Sequence, residues 1–508
     1  MKPQVCFITP PSAFLLDERV FPNLGILKVA AALEARGYPV EHLDLCGITN
    51  YEELASAHAR GSGATVFALT ATTPQMPAAA RIAAQIREAR PSASLILGGP
   101  HATLVNAARK KEQAAQSGRA AQALAQLKAL FHYIIAGDGE DAILLAVGAQ
   151  LPGALGTVID ADDPRGPLFL TKARLQELPP PARHLIDLSA YRFSIDGVPA
   201  TSLVAQLGCP FSCGFCGGRS SPMLRRVRIR STESVLAEMR HISVAHGYRG
   251  FMFYDDELNV NPNIVDLMRG IIRLQRELGV EFRLRGFVKA ELLTEEQASA
   301  MHEAGFRWIL CGFESGHARI LENINKRATI ADNNRCVDIA HRVGLKVKAL
   351  MSIGHPGESK ETVRETQRWL TSEKPDDFDC SLITPYPGTP YYDEATVGTS
   401  CAHTNPQLGQ VWTYTAPRTG DALHAFDIDY TREPAYYKGI PGGGYISHVF
   451  TDSLSPKDLV ECRDELESSV RSELGIPYNT ARAALRYEHS MGQSEPASHA
   501  NSTSVQSP

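Results

Sequence analysis

The sequence predicts an α/β protein in three parts: a doubly wound parallel sheet, a partial (β/α)6 barrel and a small C-terminal α+β cap. Three observations predict it. Short apolar runs alternate with helical spacing over residues 1–147 and again over 200–395, and such alternation means parallel strands joined by crossover helices. A stretch from 148 to 199, with Pro152, Pro164, Pro167 and the run Pro179, Pro180, Pro181, has the composition of a linker. After 395 the alternation gives way to aromatic and glycine-rich sequence and one amphipathic helix. At 508 residues the chain is too long for one ordinary domain. Its 44% hydrophobic and 21% charged content is that of a globular protein, and its net charge of −5 gives no general pull toward nucleic acid. No apolar run approaches the ~20 residues of a membrane span. The N-terminus starts directly as a strand without the apolar core of a signal peptide, so a cytoplasmic location is expected.

In the first part, Val5 to Thr9 is an apolar strand ended by Pro10 and Pro11. Leu24 to Arg36 has helical spacing and stops at Gly37, a good C-terminal cap. Val40 to Leu45 alternates as a half-buried strand, and Ala64 to Thr70 is another, followed by Pro74 and a helix from Ala78 to Arg90. Ser94 to Gly99 and Tyr133 to Gly137 are buried strands, each ending in a glycine-bearing loop. Residues 107–130, rich in Ala, Gln and Lys, read as an exposed helix or insertion. The order suits a flavodoxin-like sheet, whose ligands bind beyond the carboxyl ends of the strands. Periodicity alone leaves open a flavin, a nucleotide or nothing there.

In the second part the strands are Thr201 to Leu207, Phe251 to Phe253, Glu281 to Gly286, Trp308 to Phe313, Leu345 to Ile353 and Phe378 to Thr384. A helix begins after Ser231, its N-cap. The loop after the first strand reads Cys209-Pro-Phe-Ser-Cys213-Gly-Phe-Cys216-Gly-Gly, with three cysteines spaced C-x3-C-x2-C. Only 10 cysteines occur in 508 residues, so this clustering sets them apart from buried thiols near a turn. Three thiolates suit a [4Fe–4S] cluster with one iron left open; zinc is the rival, but structural zinc sites close with four ligands and no second pair stands nearby. The other cysteines are scattered, which argues against a disulfide framework.

At these residues the sequence resembles the radical S-adenosylmethionine (SAM) enzymes. The resemblance implies that Cys209, Cys213 and Cys216 ligate three irons and that SAM takes the fourth. It also implies that electron transfer into the cluster, from a donor such as flavodoxin or ferredoxin, yields a 5′-deoxyadenosyl radical. Three further loops match the family. Tyr254, Asp255 and Asp256 stand where the SAM amine is bound, Glu314 and Ser315 where the ribose or carboxylate is contacted, and Gly354 beside the adenine. Each acidic residue is also readable as a helix cap or surface charge. Cys311 reads as a small core hydrophobe rather than a fourth ligand.

The first part resembles the cobalamin-binding domain found in front of many radical SAM enzymes. The likeness rests on Pro10-Pro11, the run Phe21 to Gly25, Thr72-Thr73-Pro74-Gln75, Gly98-Gly99-Pro100-His101-Ala102 and Gly137 to Glu140. It implies Thr72, Thr73, Gly98, Gly99, His101, Gly137 and Glu140 as cobalamin contacts, with His101 equally readable as a polar loop residue. The D-x-H-x-x-G motif that supplies an axial histidine elsewhere is absent, and neither His42 nor His101 fits it. The expectation is base-off cobalamin without a histidine from that motif.

Residues 396–487 carry Trp412, Tyr414, Tyr430, Tyr436, Tyr437, Tyr445 and Gly442-Gly443-Gly444, then a helix from Ser455 to Leu474. They read as a cap over the barrel mouth that excludes water from a pocket. Residues 488–508 read as a disordered tail. The resemblance implies a cobalamin-dependent methyltransferase that uses two SAM molecules on an unactivated carbon of a small natural-product intermediate. A non-methylating radical reaction such as cyclisation, ring contraction or dehydrogenation is the alternative. Methylthiolation fits less well: it needs three N-terminal cysteines, and the first part offers only Cys6 and Cys46. A non-enzymatic metal-binding protein is the remaining reading.

Overall fold

The computed structural model describes residues 2–12, 18–112, 118–149, 154–398, 410–433 and 447–476. Tyr436, Tyr437, Tyr445, the triple glycine and the tail lie outside the described residues. The first sheet comprises β1 (Val5–Thr9), β2 (Val40–Asp44), β3 (Val66–Thr70), β4 (Ser94–Gly98), β5 (Tyr133–Gly137) and β6 (Thr157–Ala161), all parallel, in the order β2-β1-β3-β4-β5-β6. This is the flavodoxin-like order extended by one strand. Apolar residues on both faces explain the unbroken hydrophobic runs: Phe7 packs with the helix Leu24–Glu34, while Cys6 and Ile8 pack against the helices Tyr51–Gly61 and Met76–Ala89.

Two sequence expectations fail here. The sixth strand, Thr157–Ala161, comes from the stretch assigned to the linker. Its partly exposed, mixed-polarity residues hide it, since only one edge pairs. The described residues of 107–130 are not a solvated insertion. The helices Pro100–Glu112 and Arg119–Leu130 bury Ala107, Ala108, Ala120, Leu124 and Leu127.

The second sheet begins with a hairpin, β7 (Ser194–Ile195) and β8 (Val198–Leu203). A separate antiparallel ribbon, β9 (Gln206–Leu207) with β10 (Arg228–Ile229), frames the cysteine loop. Then come β11 (Gly250–Phe253), β12 (Arg283–Val288), β13 (Phe306–Glu314), β14 (Lys346–Ile353) and β15 (Asp377–Leu382). The order is β15-β14-β13-β12-β11-β8-β7, parallel from β8 to β15, with helices such as Thr232–His246 and Ile264–Leu278 outside. It is the expected open barrel of six strand–helix units. The first strand ends at Leu203 rather than Leu207, because Asp255 takes the next amides: its carboxylate accepts from Ala205 N at 3.0 Å and from Gln206 N at 2.5 Å.

The third sheet is antiparallel: β16 (Thr396–Val397), β17 (Val411–Thr415), β18 (Ala422–Phe426) and β19 (Val449–Phe450). The helix Pro456–Leu474 starts at the barrel mouth, where Leu459 meets Gly354, and runs down the flank of β15. It seals the open side of the barrel rather than its mouth. Its fully buried Glu467 accepts from Cys380 N at 2.6 Å, and Arg471 pairs with Asp377 at 3.1 Å. No helix among the described residues is long and apolar enough to cross a membrane.

Buried polar contacts join the loops after β5 and β6 of the first sheet to the ribbon and the cysteine loop of the barrel part. Arg228 donates to both oxygens of Asp138 at 2.8 Å, and both side chains are buried. Asp162, after β6, accepts from Ser221 Oγ at 2.8 Å and from Met223 N at 2.7 Å. Removing one partner of a buried ion pair leaves an uncompensated charge. Arg228→Ala is therefore expected to lower unfolding stability by about 3–5 kcal/mol, and replacing the pair together (Arg228→Met with Asp138→Leu) to recover most of it. Urea titration followed by circular dichroism measures both.

Candidate functional site

The carboxyl ends of both sheets open onto one cavity of about 650 Å³. The first sheet lines it with Thr70, Thr72, Gly98, Gly99, Gly137 and Glu140, and the barrel with Ser202, Val204, Leu207 and Tyr254. The glycines form a cradle along the cavity, and at two of them the chain's own atoms leave no room for a Cβ. A Cβ on Gly99 would lie 2.5 Å from Thr70 Oγ1, and one on Gly137 would lie 2.4 Å from the Ala161 carbonyl carbon; both have positive φ. Lys28 pairs with Glu140 at 3.2 Å on the cavity wall. Among the described residues lining the cavity none is a histidine.

The sequence brought Thr73 and His101 to this site, but neither lines the cavity. His101 Nδ1 meets Thr73 Oγ1 at 3.1 Å, and its ring stands edge-on to Tyr430. Burial pushes its pKa down to about 3, so it is a neutral core residue behind the loop. His42 is also set back, bonded to Thr9 Oγ1 at 2.9 Å.

Cys209 and Cys213 are buried and Cys216 is half-buried at the end of β9. Their loop is held on every side. Cys209 N donates to Leu224 O at 3.0 Å and Gly214 N to Ile324 O at 2.7 Å. Asn325 Nδ2 donates to Ser212 O at 3.0 Å, while Arg219 donates to the carbonyls of Cys209 and Phe211. Burial raises the Cys216 thiol to about 12, the neighbouring Cys213 and Cys209 add to it, and Arg219 opposes. Three thiols that share the field of one guanidinium suit a cationic metal centre, which would hold them as thiolates. Cys311 points elsewhere: burial and its contact with Cys336 hold its thiol neutral in the core.

The acidic residues divide into two roles. Asp255 is fully occupied by the two amides of Ala205 and Gln206, and so positions the strand leading into the cysteine loop. Asp256 and Glu257 are raised by burial, with Arg219 acting against the shift at Asp256 and Lys326 and Lys289 against it at Glu257. Tyr254 is 43% accessible, and its open surface faces the interior cavity.

Glu314, at the end of β13, has φ of 65°, a left-handed conformation that few non-glycine residues adopt. The strain aims its carboxylate at two partners: Lys326 Nζ at 2.9 Å and Ser352 Oγ at 2.7 Å. Burial alone would raise this carboxyl, but Lys326 and the Ser352 bond hold it below the usual range. Ser352 also meets His355 Nε2 at 2.8 Å, and His355 Nδ1 meets the Tyr391 hydroxyl at 3.2 Å. This chain of polar groups was not legible in the sequence, because its members come from the ends of β13 and β14, the loops holding Lys326 and His355, and the helix Pro390–Asp393. Ser315 is turned outward to Thr366, and Gly354 packs against Val449 of the cap. Of the cap aromatics, Tyr414 packs on Tyr391 at 4.7 Å and Tyr430 is buried with its hydroxyl on Pro385 O, so both pack the cap onto the barrel.

Tyr391 also limits the cysteine loop, since a Cβ on Gly214 would lie 2.3 Å from its ring. Gly214→Ala is expected to displace that ring and cost about 1–3 kcal/mol. A lowered thermal midpoint in the full chain, partly restored by Tyr391→Leu, is the measurement.

Comparison with known proteins gives concordant findings. Residues 18–128 match the model of the B12-binding domain, and residues 203–370 match that of the radical SAM superfamily. An uncharacterized methyltransferase of Pyrococcus horikoshii is 27% identical over 343 residues, 65% of this chain and 69% of that protein. The anaerobic magnesium-protoporphyrin IX monomethyl ester cyclase of Cereibacter sphaeroides is 24% identical over 388 residues, 74% of this chain and 60% of that protein. In fold, the chain resembles the radical SAM methyltransferase TsrM from Kitasatospora setae, solved with cobalamin and a [4Fe–4S] cluster bound. That match has a TM-score of 0.60 at 18% identity and covers 95% of this chain and 90% of that one.

Proposed function

We propose that this chain, which carries a B12-binding domain followed by a radical SAM domain, is a cobalamin-dependent methyltransferase acting on an unactivated carbon of a small molecule with two SAM molecules per turnover. The observation that carries the reading is the single cavity lined by the carboxyl ends of both sheets. Two cofactors held by two domains can act on one substrate only if they share a space. Cys209, Cys213 and Cys216 would hold a [4Fe–4S] cluster, and the glycine cradle of Gly98, Gly99 and Gly137 would receive cobalamin. When bound, the cluster and SAM supply a 5′-deoxyadenosyl radical, and cobalamin supplies a transferable methyl group.

The chain's own residues bind, orient and shield. Glu314, kept anionic by Lys326 and Ser352, and Asp256 offer carboxylates to a cationic, hydroxyl-bearing ligand such as SAM. Tyr254 stands on the shared wall, where it separates or bridges the two cofactor spaces. Thr72 and Glu140 contribute polar atoms to the cobalamin side. Thr73 and His101 support that loop from behind. The cavity offers no imidazole from the described residues, which supports base-off cobalamin without a histidine ligand.

An electron must also reach the cysteine loop. Ser212 and Gly214 of that loop floor a surface groove of about 470 Å³ bearing Lys111, Arg219, Arg225, Arg327 and Arg418 against Glu322 and Glu394. A cationic groove on a chain of net charge −5 suits a small acidic carrier of the flavodoxin or ferredoxin class.

Two outcomes are expected. After anaerobic reconstitution with iron and sulfide, Cys209→Ala, Cys213→Ala and Cys216→Ala each lose the cluster absorbance and most of the iron, while Cys311→Ala keeps both. With SAM, hydroxocobalamin and a low-potential reductant, the parent chain forms both 5′-deoxyadenosine and S-adenosylhomocysteine, and a label in the SAM methyl group appears on cobalamin. Omitting cobalamin removes only the S-adenosylhomocysteine. Deoxyadenosine without S-adenosylhomocysteine would replace methyl transfer by a non-methylating radical reaction, the reading favoured by the likeness to the ester cyclase.

A further inference from the structure

A second group of ligating side chains lies on the other face of the first sheet from the helix Leu24–Glu34, and the chemistry above does not use it. Cys6 and Glu41 are paired residues of the adjacent parallel strands β1 and β2, so their side chains leave the sheet on the same face. The helix Tyr51–Gly61 covers that face and lowers His58 between them. His58 Nε2 lies 3.5 Å from Cys6 Sγ and 3.0 Å from Glu41 Oε1, and the three ligand atoms are all within 4.8 Å of one another. Cys6 is fully buried, while the Glu41 and His58 side chains keep 27% and 31% of their surface, enough to admit an ion.

We propose that Cys6, Glu41 and His58 bind one thiophilic divalent cation of the zinc class, independently of the cluster and of cobalamin. Three arguments carry it. First, an ion bound tetrahedrally at zinc distances would set the sulfur–nitrogen edge at about 3.5 Å and the nitrogen–oxygen edge at about 3.3 Å, close to the separations seen. Second, Sγ and Oε1 converge on the same ring nitrogen; the Cys6 thiol also has Phe7 O at 3.7 Å and the Glu41 carboxylate within its reach, but only a cation would be met by all three ligand atoms at once. Third, the carboxylate is already oriented, with Gln4 Nε2 donating to its Oε2 at 3.0 Å and Ser62 Oγ to its Oε1. Such outer contacts fix ligating carboxylates. Water or the Ser62 hydroxyl would complete the coordination, and the ion would tie the edge strand β2 to β1 and to the helix that covers them.

The test uses the full chain with its cluster reconstituted, dialysed against buffered micromolar zinc, with metals counted by mass spectrometry. One zinc per chain beyond the cluster iron is expected. Cys6→Ser and His58→Ala should each remove that equivalent while leaving iron and bound cobalamin unchanged, and Glu41→Gln should weaken zinc binding at least tenfold. If Cys6→Ser proves unfolded, cobalt(II) titration of the chain bearing Cys209→Ala, Cys213→Ala and Cys216→Ala serves instead. A thiolate-to-cobalt band with one-to-one stoichiometry, lost in His58→Ala, supports the site. Zinc content equal in the parent and the Cys6→Ser or His58→Ala chains, or no thiolate band, overturns it.

Discussion

The structure depends on the buried contact between Arg228 and Asp138, reinforced by Ser221 on Asp162. Neither sheet could place a site between the two by itself. Parallel sheets gather their binding loops at the carboxyl ends of their strands, and in most proteins that end faces solvent or a lid. Here the two ends face each other, and a charge pair withdrawn from water fixes the approach. Arg228 belongs to the ribbon that frames the cysteine loop, and Asp138 follows β5 in the glycine cradle. One interaction therefore sets the distance between the cysteine loop and the cradle. Charged groups so deeply buried add little net stability, but they specify register sharply, because any other docking would strand a charge in a low-dielectric interior.

Within the barrel the organising device is strain. Glu314 occupies a backbone region suited to glycine, where its carboxylate is drawn inward by Lys326 and Ser352. Gly312 makes room: a Cβ there would lie 2.6 Å from Glu314 Oε1 and 2.9 Å from Lys326 Nζ. An ionised side chain is thus kept buried at a strand end, where a permanent negative charge would otherwise be hard to solvate. The same economy of position appears at Asp255, whose two oxygens end one strand and begin the turn toward the cysteines.

Much of this was legible in the sequence. The six barrel strands and five of the six strands of the first sheet were read from the sequence, most as apolar runs because strands covered on both faces cannot alternate, and β2 by its alternation. The C-x3-C-x2-C spacing singled out the cysteine loop from the sequence alone. What stayed hidden follows a pattern. β6 was missed because an edge strand with one exposed face loses the hydrophobic signal. Thr73 opens the short 3-10 turn after β3 and His101 the first turn of the helix Pro100–Glu112; their neighbours Thr72, Gly99 and Pro100 line the cavity, and one terminal turn is too short for its sequence to show which side faces it. Lys326, Ser352, His355 and Tyr391 were invisible because their connection to Glu314 runs through space across separate strand ends. Cys6, Glu41 and His58 are 35 and 17 residues apart in sequence; the parallel register pairs the first two, and the covering helix Tyr51–Gly61 brings the third.

The helix Pro456–Leu474 lies along the free side of β15 and satisfies Cys380 N through a buried glutamate. In order of synthesis that helix comes after every strand of both sheets. While the chain is being made, the barrel therefore passes through a stage in which all its strands exist and its flank is unguarded. An unpaired strand edge is a template for association with other chains. The same unguarded flank is also a second way into the barrel interior, closed once Arg471 reaches Asp377 and Phe378. Maturation and misassembly thus share one brief interval, and it ends when a single helix docks.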